Sequence, residues 1–192
     1  VVKDVKGCAI DAQSFFGGIM WKKSIKEELF GCFYIHFCKE AIQRWKQIAQ
    51  KYAVYENEIS ESILVQNCYH RISELPLRVL IADMQSCQEN NTLNGTDSIQ
   101  KYIDYNQRLL GSEEYIHTLE KKYPELFRLL NLRVNQSVIQ MCEIISAVNR
   151  DNEELFRGLC HNEKFRGVSD IQLGLSDSHN GGKTVARVVL DN

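Results

Sequence analysis

The chain has 192 residues, of which 44% are hydrophobic and 25% are charged. This composition is typical of a folded globular domain. Its net charge of -2 argues against a protein that binds nucleic acid without sequence preference, because such a protein needs a basic face to neutralise phosphates. No stretch approaches the roughly 20 consecutive apolar residues that a membrane span requires.

The N-terminus, Val1-Val2-Lys3-Asp4, lacks the basic start and apolar core of a signal peptide, so we expect a cytoplasmic protein. The seven cysteines are an odd number without a Cys-x-x-Cys pair. They predict reduced, mostly buried thiols rather than a disulfide framework or a metal site. Cys160 and His161 are expected to be structural, since adjacent residues on a helix point apart.

The first predicted helix follows an irregular segment of residues 1 to about 23. Ser24-x-x-Glu27 has the form of a capping box. Apolar residues then recur at three- and four-residue steps from Leu29 to Tyr52, which predicts one long amphipathic helix. Because the sequence does not begin with Met, we expect the chain to be a fragment.

Further helices are predicted through the middle of the chain. One runs from about Glu58 to Glu74, and Pro76 should break it before Leu77–Asp83 continues. A polar, turn-rich loop at Gln88–Gly95 follows. We therefore expect several helices of moderate length joined by short loops.

The next helix has possible N-caps in Thr96-Asp97-Ser98 and an apolar face of Ile99, Tyr102, Ile103 and Leu109. Gly111-Ser112 should end it and begin another helix that reaches Lys122.

Tyr123-Pro124 should open the following helix, with proline at its first position. Its predicted apolar face comprises Leu126, Leu129, Leu130, Val134, Val138, Met141, Ile145 and Val148. Helical character persists to about Cys160. Stripes of this kind are far more often core than cofactor pocket, so we assign them no chemistry.

After Gly167 the pattern changes to strand, loop, strand. Val168, Ile171 and Leu173 precede a polar loop with glycines, and the β-branched stretch from Val185 to Leu190 follows it. Asp191-Asn192 has the character of an incipient turn, so we expect the sheet to continue beyond the sequence given. The predicted fold class is α+β, predominantly α-helical.

The loop contains Gly181-Gly182-Lys183-Thr184, which resembles the end of a Walker A motif. Asp177 stands where that motif needs its first glycine, and Thr184 to Leu190 predicts a strand where the motif requires a helix. The Walker interpretation is therefore rejected.

A protein-kinase glycine-rich loop lies instead between two antiparallel strands and covers the nucleotide phosphates with backbone N–H groups. Gly181 and Gly182 suit such a loop. Asp177 beside His179 could orient an imidazole for proton transfer. From the residues alone, a solvated turn is at least as good an interpretation.

A resemblance to a known family covers nearly the whole chain. The segment from Gly174 to Val185 resembles the stretch G-x-S/G-D-x-H-x-x-G-R/K-T/S-V of class II lanthipeptide synthetase dehydratase domains. Leu93-Asn94-Gly95-Thr96 followed by Tyr102 resembles that family's L-x-G-x-T…Y, and the segment from Lys122 to Arg128 resembles its Y-P-x-L-x-R. Arg150-Asp151 with Leu155 resembles a further region loosely, with different spacing. The order of the pieces is also that of the family.

The resemblance implies an enzyme that uses ATP and Mg²⁺ to phosphorylate Ser and Thr of a ribosomally made precursor peptide, comprising leader and core. It then eliminates phosphate to leave dehydroalanine and dehydrobutyrine. A separate zinc-containing cyclase domain would lie further along the protein. Residues 1–167 would be helical additions to a lipid-kinase-like core, and residues 168–192 would begin its N-lobe. No nucleic acid or membrane partner is implied.

By the same resemblance, Asp177 and His179 are the predicted catalytic residues, in phosphate positioning or in elimination. Asn180, Gly181, Gly182 and Lys183 are the predicted nucleotide-binding residues. His36, His70, His117 and His161 match no functional position, and we expect them to be surface or satisfied core residues.

The nucleotide-binding lysine of the family should follow Asn192, so the chain alone is expected not to transfer phosphate. Two alternatives stay open. One is a non-catalytic helical module that binds a peptide or protein. The other is a different kinase-like phosphotransferase with a small-molecule substrate.

Overall fold

The computed structural model describes residues 21–54, 61–158 and 167–191. Helix α1 is described over residues 21–27. The other elements are α2 Gly31–Ile48 with a 3₁₀ turn at Ala49–Tyr52, α3 Glu61–Ile72, α4 Leu77–Glu89, α5 Ser98–Asp104 with a π-helical turn at Tyr105–Leu109, α6 Glu113–Lys122, α7 Pro124–Arg150, α8 Asn152–Gly158, β1 Gly167–Gln172 and β2 Arg187–Asp191. The predicted α+β, predominantly helical class is confirmed.

The core forms where α2, α3 and α7 pack against one another. Each contributes the apolar stripe that its sequence predicts, because residues three and four apart share one face of a helix. Phe33 and Phe37 of α2 pack their rings against Phe127 of α7. On α7, Leu130, Val134, Val138, Met141 and Ile145 are buried as predicted, whereas Leu129 is exposed.

The single helix predicted from Ser24 to Tyr52 is wrong at its beginning. Ser24 lies inside α1, so it caps nothing, and the chain turns at Phe30, which has a left-handed φ of 56°. The cause is tertiary: the Phe30 side chain is buried, and its N–H donates to Tyr102 Oη at 3.0 Å. At Gly31 a Cβ would collide with the carbonyl group of Ile25, so glycine permits the tight turn into α2.

The start predicted for the next helix, Glu58, lies outside the described residues, as do Cys8, Cys160 and His161. The predicted break at Pro76 is confirmed, although α4 continues to Glu89.

Two of the predicted N-caps are confirmed. Asp97 accepts a hydrogen bond from Gln100 N at 2.8 Å, and Ser112 accepts one from Tyr115 N at 3.4 Å. Pro124 stands at the start of α7. Asp97 and Ser112 accept from N–H donors that the first turn of a helix leaves without partners, and Pro124 has no N–H there to satisfy.

The apolar face predicted for α5 is wrong for Ile99 and Ile103, whereas Tyr102 and Leu109 are partly buried against the core as predicted. Ile99 and Ile103 are 72% and 44% exposed, whereas Tyr105 and Leu110 are buried. The π-helical turn at Tyr105–Leu109 changes the helical period, which rotates the residues that follow it relative to a regular helix.

The Leu93–Thr96 motif is a structural loop. Asp104 accepts hydrogen bonds from Asn94 N at 2.9 Å and from Arg108 Nε at 2.8 Å. The hydrogen bond from Arg108 and those from Asn94 hold the pKa of Asp104 well below its usual range. The loop therefore ties α5 to the end of α4.

Asp83 is a buried carboxylate that joins α4 to the π-helical turn and α6. It accepts hydrogen bonds from Tyr105 Oη at 3.0 Å, Tyr115 Oη at 2.6 Å and Lys122 Nζ at 2.8 Å. The hydrogen bond that Lys122 donates to Asp83 raises the pKa of Lys122, and burial, followed by contact with Asp83, raises the pKa of Tyr105. Asp83 therefore connects α4 to the π-helical turn and to α6 by hydrogen bonds within a mainly apolar interior.

The described cysteines are all free thiols. Cys38, Cys68 and Cys142 are buried, and burial raises the pKa of the Cys68 and Cys142 thiols to about 12. The expectation that the thiols are mostly buried is confirmed for this part of the chain, and their reduced state stays a prediction.

Candidate functional site

The candidate site is the β-hairpin at the C-terminal end of the chain. β1 and β2 pair antiparallel, with Ile171 opposite Val188 and an irregularity between Val168 and Asp170. Residues 173–186 connect them as a long loop. A strand therefore follows the Gly-Gly-Lys-Thr segment, and the rejection of a Walker loop is confirmed, because that motif requires a helix there.

The loop narrows to a tip at residues 179–183, which we call the hairpin tip. His179 and Lys183 exchange two backbone hydrogen bonds of 2.8 Å. Asn180, Gly181 and Gly182 all have positive φ, of 42°, 81° and 98°. Asn-Gly with positive φ at both residues is the pattern of a type I′ turn, the turn whose twist matches paired strands.

Two backbone N–H groups of the hairpin tip are available to a ligand. The N–H groups of His179, Gly182 and Lys183 donate within the tip, whereas those of Asn180 and Gly181 donate to no acceptor of the described residues. Both residues are exposed. Adjacent N–H groups at a turn with positive φ can bind an anion.

Side chains of α3 and α7 hold the loop through its backbone. Arg71 donates from Nη2 to Gly182 O at 2.6 Å and from Nη1 to Gln140 Oε1 at 3.2 Å. Gln140 donates from Nε2 to Thr184 O at 2.6 Å. Burial lowers the pKa of Arg71, and Arg133 acts in the same direction, but an arginine remains cationic.

Asn67 of α3 holds the start of the loop. Its Nδ2 donates to Ile171 O at 2.6 Å, and its Oδ1 accepts from Leu173 N at 2.7 Å. Both bonds are buried, and together they hold the end of β1 and the start of the loop against α3. We call Asn67, Arg71 and Gln140 the anchor residues.

Lys183 is exposed and forms an ion pair with Glu143 of α7, with 2.8 Å between Nζ and Oε2. This hydrogen bond raises the pKa of Lys183. Exposed pairs of this kind contribute about 0–1 kcal/mol. A bound anion could therefore replace Glu143 as the partner of the Lys183 ammonium group at a small cost in free energy.

Asp177 lies on the arm of the loop before the hairpin tip, His179 is the first residue of the tip, and both are exposed. Their side chains make no hydrogen bond to each other or to any other group in the part of the chain that the structure describes. The structure does not join them as an oriented Asp-His pair. Their catalytic assignment stays a prediction.

No cluster of three or more His, Cys, Asp or Glu residues that could hold a metal ion occurs within 21–54, 61–158 and 167–191. No described helix is long and apolar enough to cross a membrane. Of the histidines without assigned function, His36 pairs with Glu40, His117 pairs with Glu120, and His70 is exposed.

The anchor residues were missed by sequence reasoning. Asn67 and Arg71 lie four residues apart on α3, and therefore on one face of that helix. On α7, the anchor residue Gln140 has the same spacing from another polar residue, Gln136. Gln140 interrupts an apolar stripe between Val138 and Met141. A polar side chain at a buried helix position needs a partner, so this pattern is the signal that could have found it.

One family comparison bears on the same region. Residues 123–192 match the family model of DUF4135, a domain of unknown function. The segment matched by DUF4135 contains α7, α8 and the candidate hairpin, together with the anchor residue Gln140. No curated protein gives a significant match to the chain.

Proposed function

We propose that this chain supplies the glycine hairpin of a nucleotide site in a lanthipeptide synthetase dehydratase. The enzyme would phosphorylate Ser and Thr of a precursor peptide and then eliminate phosphate. The observation that carries the proposal is the hairpin tip, in which the N–H groups of Asn180 and Gly181 have no acceptor among the described residues. The DUF4135 match supports it, because this domain is found in lanthipeptide synthetases.

The charges around the tip favour phosphate. Arg71 contacts the backbone at Gly182, and Lys183 is only weakly held by Glu143. Two cations beside two free N–H donors suit the phosphate groups of ATP. ATP would supply the phosphoryl group, and the residues of this chain would bind and orient it.

By resemblance to the family, ATP would bind together with Mg²⁺. We propose that the residues of this chain bind phosphate. We also propose that the chain alone does not transfer phosphate, because no residue of it matches the family's nucleotide-binding lysine.

Asp177 and His179 are proposed to act at the phosphate or in the elimination. Elimination requires a base to take the α-proton of the phosphorylated residue while the C–O bond to phosphate breaks. A neutral imidazole has one ring nitrogen that can accept that proton. Exposure of His179 leaves this nitrogen accessible, and Asp177 is near enough in sequence to contact the same phosphate.

Mass spectrometry of a precursor peptide tests the proposal, with the intact protein that carries this chain, ATP and Mg²⁺. The wild type should add phosphate and then lose it to give dehydrated residues. If His179 is the base of elimination, His179→Ala should accumulate phosphorylated peptide. If it positions phosphate instead, neither product should form.

His117→Ala is the matched control, since His117 is an exposed histidine on α6 far from the hairpin in sequence. It should modify the peptide normally. A wild-type protein that leaves the peptide unmodified but phosphorylates a small molecule would contradict the proposal and favour the alternative phosphotransferase.

A further inference from the structure

A second arginine lies close to the anchor residue Arg71. Arg133 stands on α7, one turn before Gln136, and its side chain is partly exposed. Positions 133, 136, 140 and 143 are separated by three, four and three residues, so they share one face of the helix. The side chains at the other three positions, Gln136, Gln140 and Glu143, all contact the hairpin loop. Arg133 therefore belongs to the face of α7 on which the hairpin rests.

The hairpin tip points along this face toward Arg133. Gln140 donates to Thr184 O at 2.6 Å, and the Gln136 side chain lies against Gly182, where an added Cβ would collide with it. The loop therefore approaches the N-terminal end of α7 as it runs from Thr184 back to Gly182. The two turn residues come next along the hairpin, and Arg133 comes next along the helix, about 4.5 Å from Gln136. The exposed N–H groups of the turn and the arginine are thus placed at the same end.

Arg71 and Arg133 are like charges without a counter-charge. Burial lowers the pKa of Arg71 and the charge of Arg133 lowers it further, which indicates that the two guanidinium groups are close. Neither forms an ion pair with a described residue, whereas the other described arginines pair with a carboxylate or are exposed. The carboxylate on this face of α7, Glu143, pairs with Lys183. Partly buried like charges repel each other, so this pair is unfavourable until an anion joins it.

The donors of Arg133 are available to such an anion. Arg71 uses Nη1 and Nη2 for Gln140 and Gly182. The Arg133 side chain donates no hydrogen bond in the part of the chain that the structure describes, and only its backbone carbonyl accepts one, from Ser137. A guanidinium group has five N–H donors in a planar fork that matches two oxygens of a phosphate group. Arg133 is therefore both near the tip and free to bind.

We infer that Arg133 binds the phosphate groups held at the hairpin tip, with Arg71 supplying positive charge beside it. A phosphate group there would accept hydrogen bonds from the N–H groups of Asn180 and Gly181 and from the Arg133 guanidinium group. It would also supply the negative charge that the two arginines lack. The inference rests on the function proposed for the hairpin, and it adds a phosphate-binding residue that lies outside the loop.

Calorimetric titration of the intact protein that carries this chain tests the inference. Tripolyphosphate is the probe, because it has the phosphate groups of ATP without the nucleoside. Arg133→Gln should weaken tripolyphosphate binding at least about tenfold, since it removes charge-assisted hydrogen bonds. Arg133→Lys keeps the charge but not the planar fork, so it should lose less affinity than Arg133→Gln. An equal loss in the two variants would contradict the inference.

Arg78→Gln is the matched control. Arg78 is an exposed arginine of α4 that, like Arg133, forms no ion pair with the described residues. The control removes the same charge and should bind tripolyphosphate as the wild type does. If both variants weaken binding equally, the effect is one of net charge and the inference is wrong.

Thermal unfolding separates a binding role from a structural one. Loss of Arg133 relieves its repulsion with Arg71, so the Tm of Arg133→Gln without ligand should equal or exceed that of the wild type. The rise in Tm on adding tripolyphosphate should be smaller in the variant, because a weaker ligand stabilises the folded state less. A lower Tm without ligand would indicate that Arg133 serves the fold, and it would overturn the inference.

The inference and the proposed function fail in different ways. If the wild type modifies the precursor peptide but Arg133→Gln binds tripolyphosphate equally well, only the role of Arg133 is refuted. If Arg133→Gln weakens tripolyphosphate binding but the wild type leaves the peptide unmodified, the phosphate site stands and the proposed function fails. A wild-type protein that binds neither tripolyphosphate nor ATP would refute both.

Discussion

Replacement of Asn67 by alanine should detach β1 from α3. The wild-type amide satisfies the buried carbonyl of Ile171 and the buried N–H of Leu173. Alanine leaves both without a partner. Each unsatisfied buried group costs about 1–3 kcal/mol, so we expect a loss of about 2–4 kcal/mol in the free energy of unfolding after some relaxation.

Urea unfolding followed by far-UV circular dichroism measures this loss. In a protein of this size, it corresponds to a fall in Tm of about 4–16 °C. Hydrogen exchange should locate the effect, with the Leu173 amide losing protection before the amides of α7. Asn90→Ala is the matched control, because Asn90 is exposed and bonds only within its own helix end.

The control variant should change the free energy of unfolding by less than about 0.5 kcal/mol. An equally small change for Asn67→Ala, with the Leu173 amide still protected, would refute the reasoning. It would mean that β1 does not depend on the Asn67 amide for its position on the helices.

Three further predictions concern the tie at Asp83 and the hairpin. Because Asp83 raises the pKa of Lys122 above its ordinary value of 10.5, the pair stabilises the fold below that pH. This contribution to stability is lost as pH rises through the higher pKa of the folded state. Between about pH 9 and pH 12, Tm should therefore fall less steeply with pH in Lys122→Met than in the wild type. Parallel curves of Tm against pH for the two proteins would contradict this prediction. Gly182→Ala should lower Tm more than Gly181→Ala, since an added Cβ meets the Gln136 side chain only at Gly182; the reverse order would show that backbone strain dominates. His179→Ala should leave Tm unchanged while altering peptide modification, and a fall in Tm would give His179 a structural role.

Predictions from local sequence signals were confirmed where the two interacting groups lie within a few residues of each other. The Asp97 and Ser112 caps each bond to a group three residues ahead, and Pro124 has a fixed φ suited to a helix start. The glycines of the hairpin tip likewise have the positive φ that their type permits. None of these outcomes depends on the rest of the fold.

The errors at Phe30 and in α5 have a different origin. Phe30 ends a helix because its backbone and ring are held by Tyr102, 72 residues away. In this region Tyr105 rather than Ile103 is buried, and its hydroxyl donates to Asp83 of α4. Periodicity counts apolar residues but does not say which neighbour will bury them.

For the site, the sequence by itself determined the antiparallel strands, the glycine turn between them and the absence of a Walker helix after Thr184. It also gave Asp177 and His179 as candidates, whose catalytic roles stay predictions. Only the tertiary structure decided how the hairpin is held. Asn67 and Arg71 bond to backbone atoms of Leu173 and Gly182 in the loop, more than 100 residues further along the chain. Such partners are chosen by packing, which no local pattern of residues encodes.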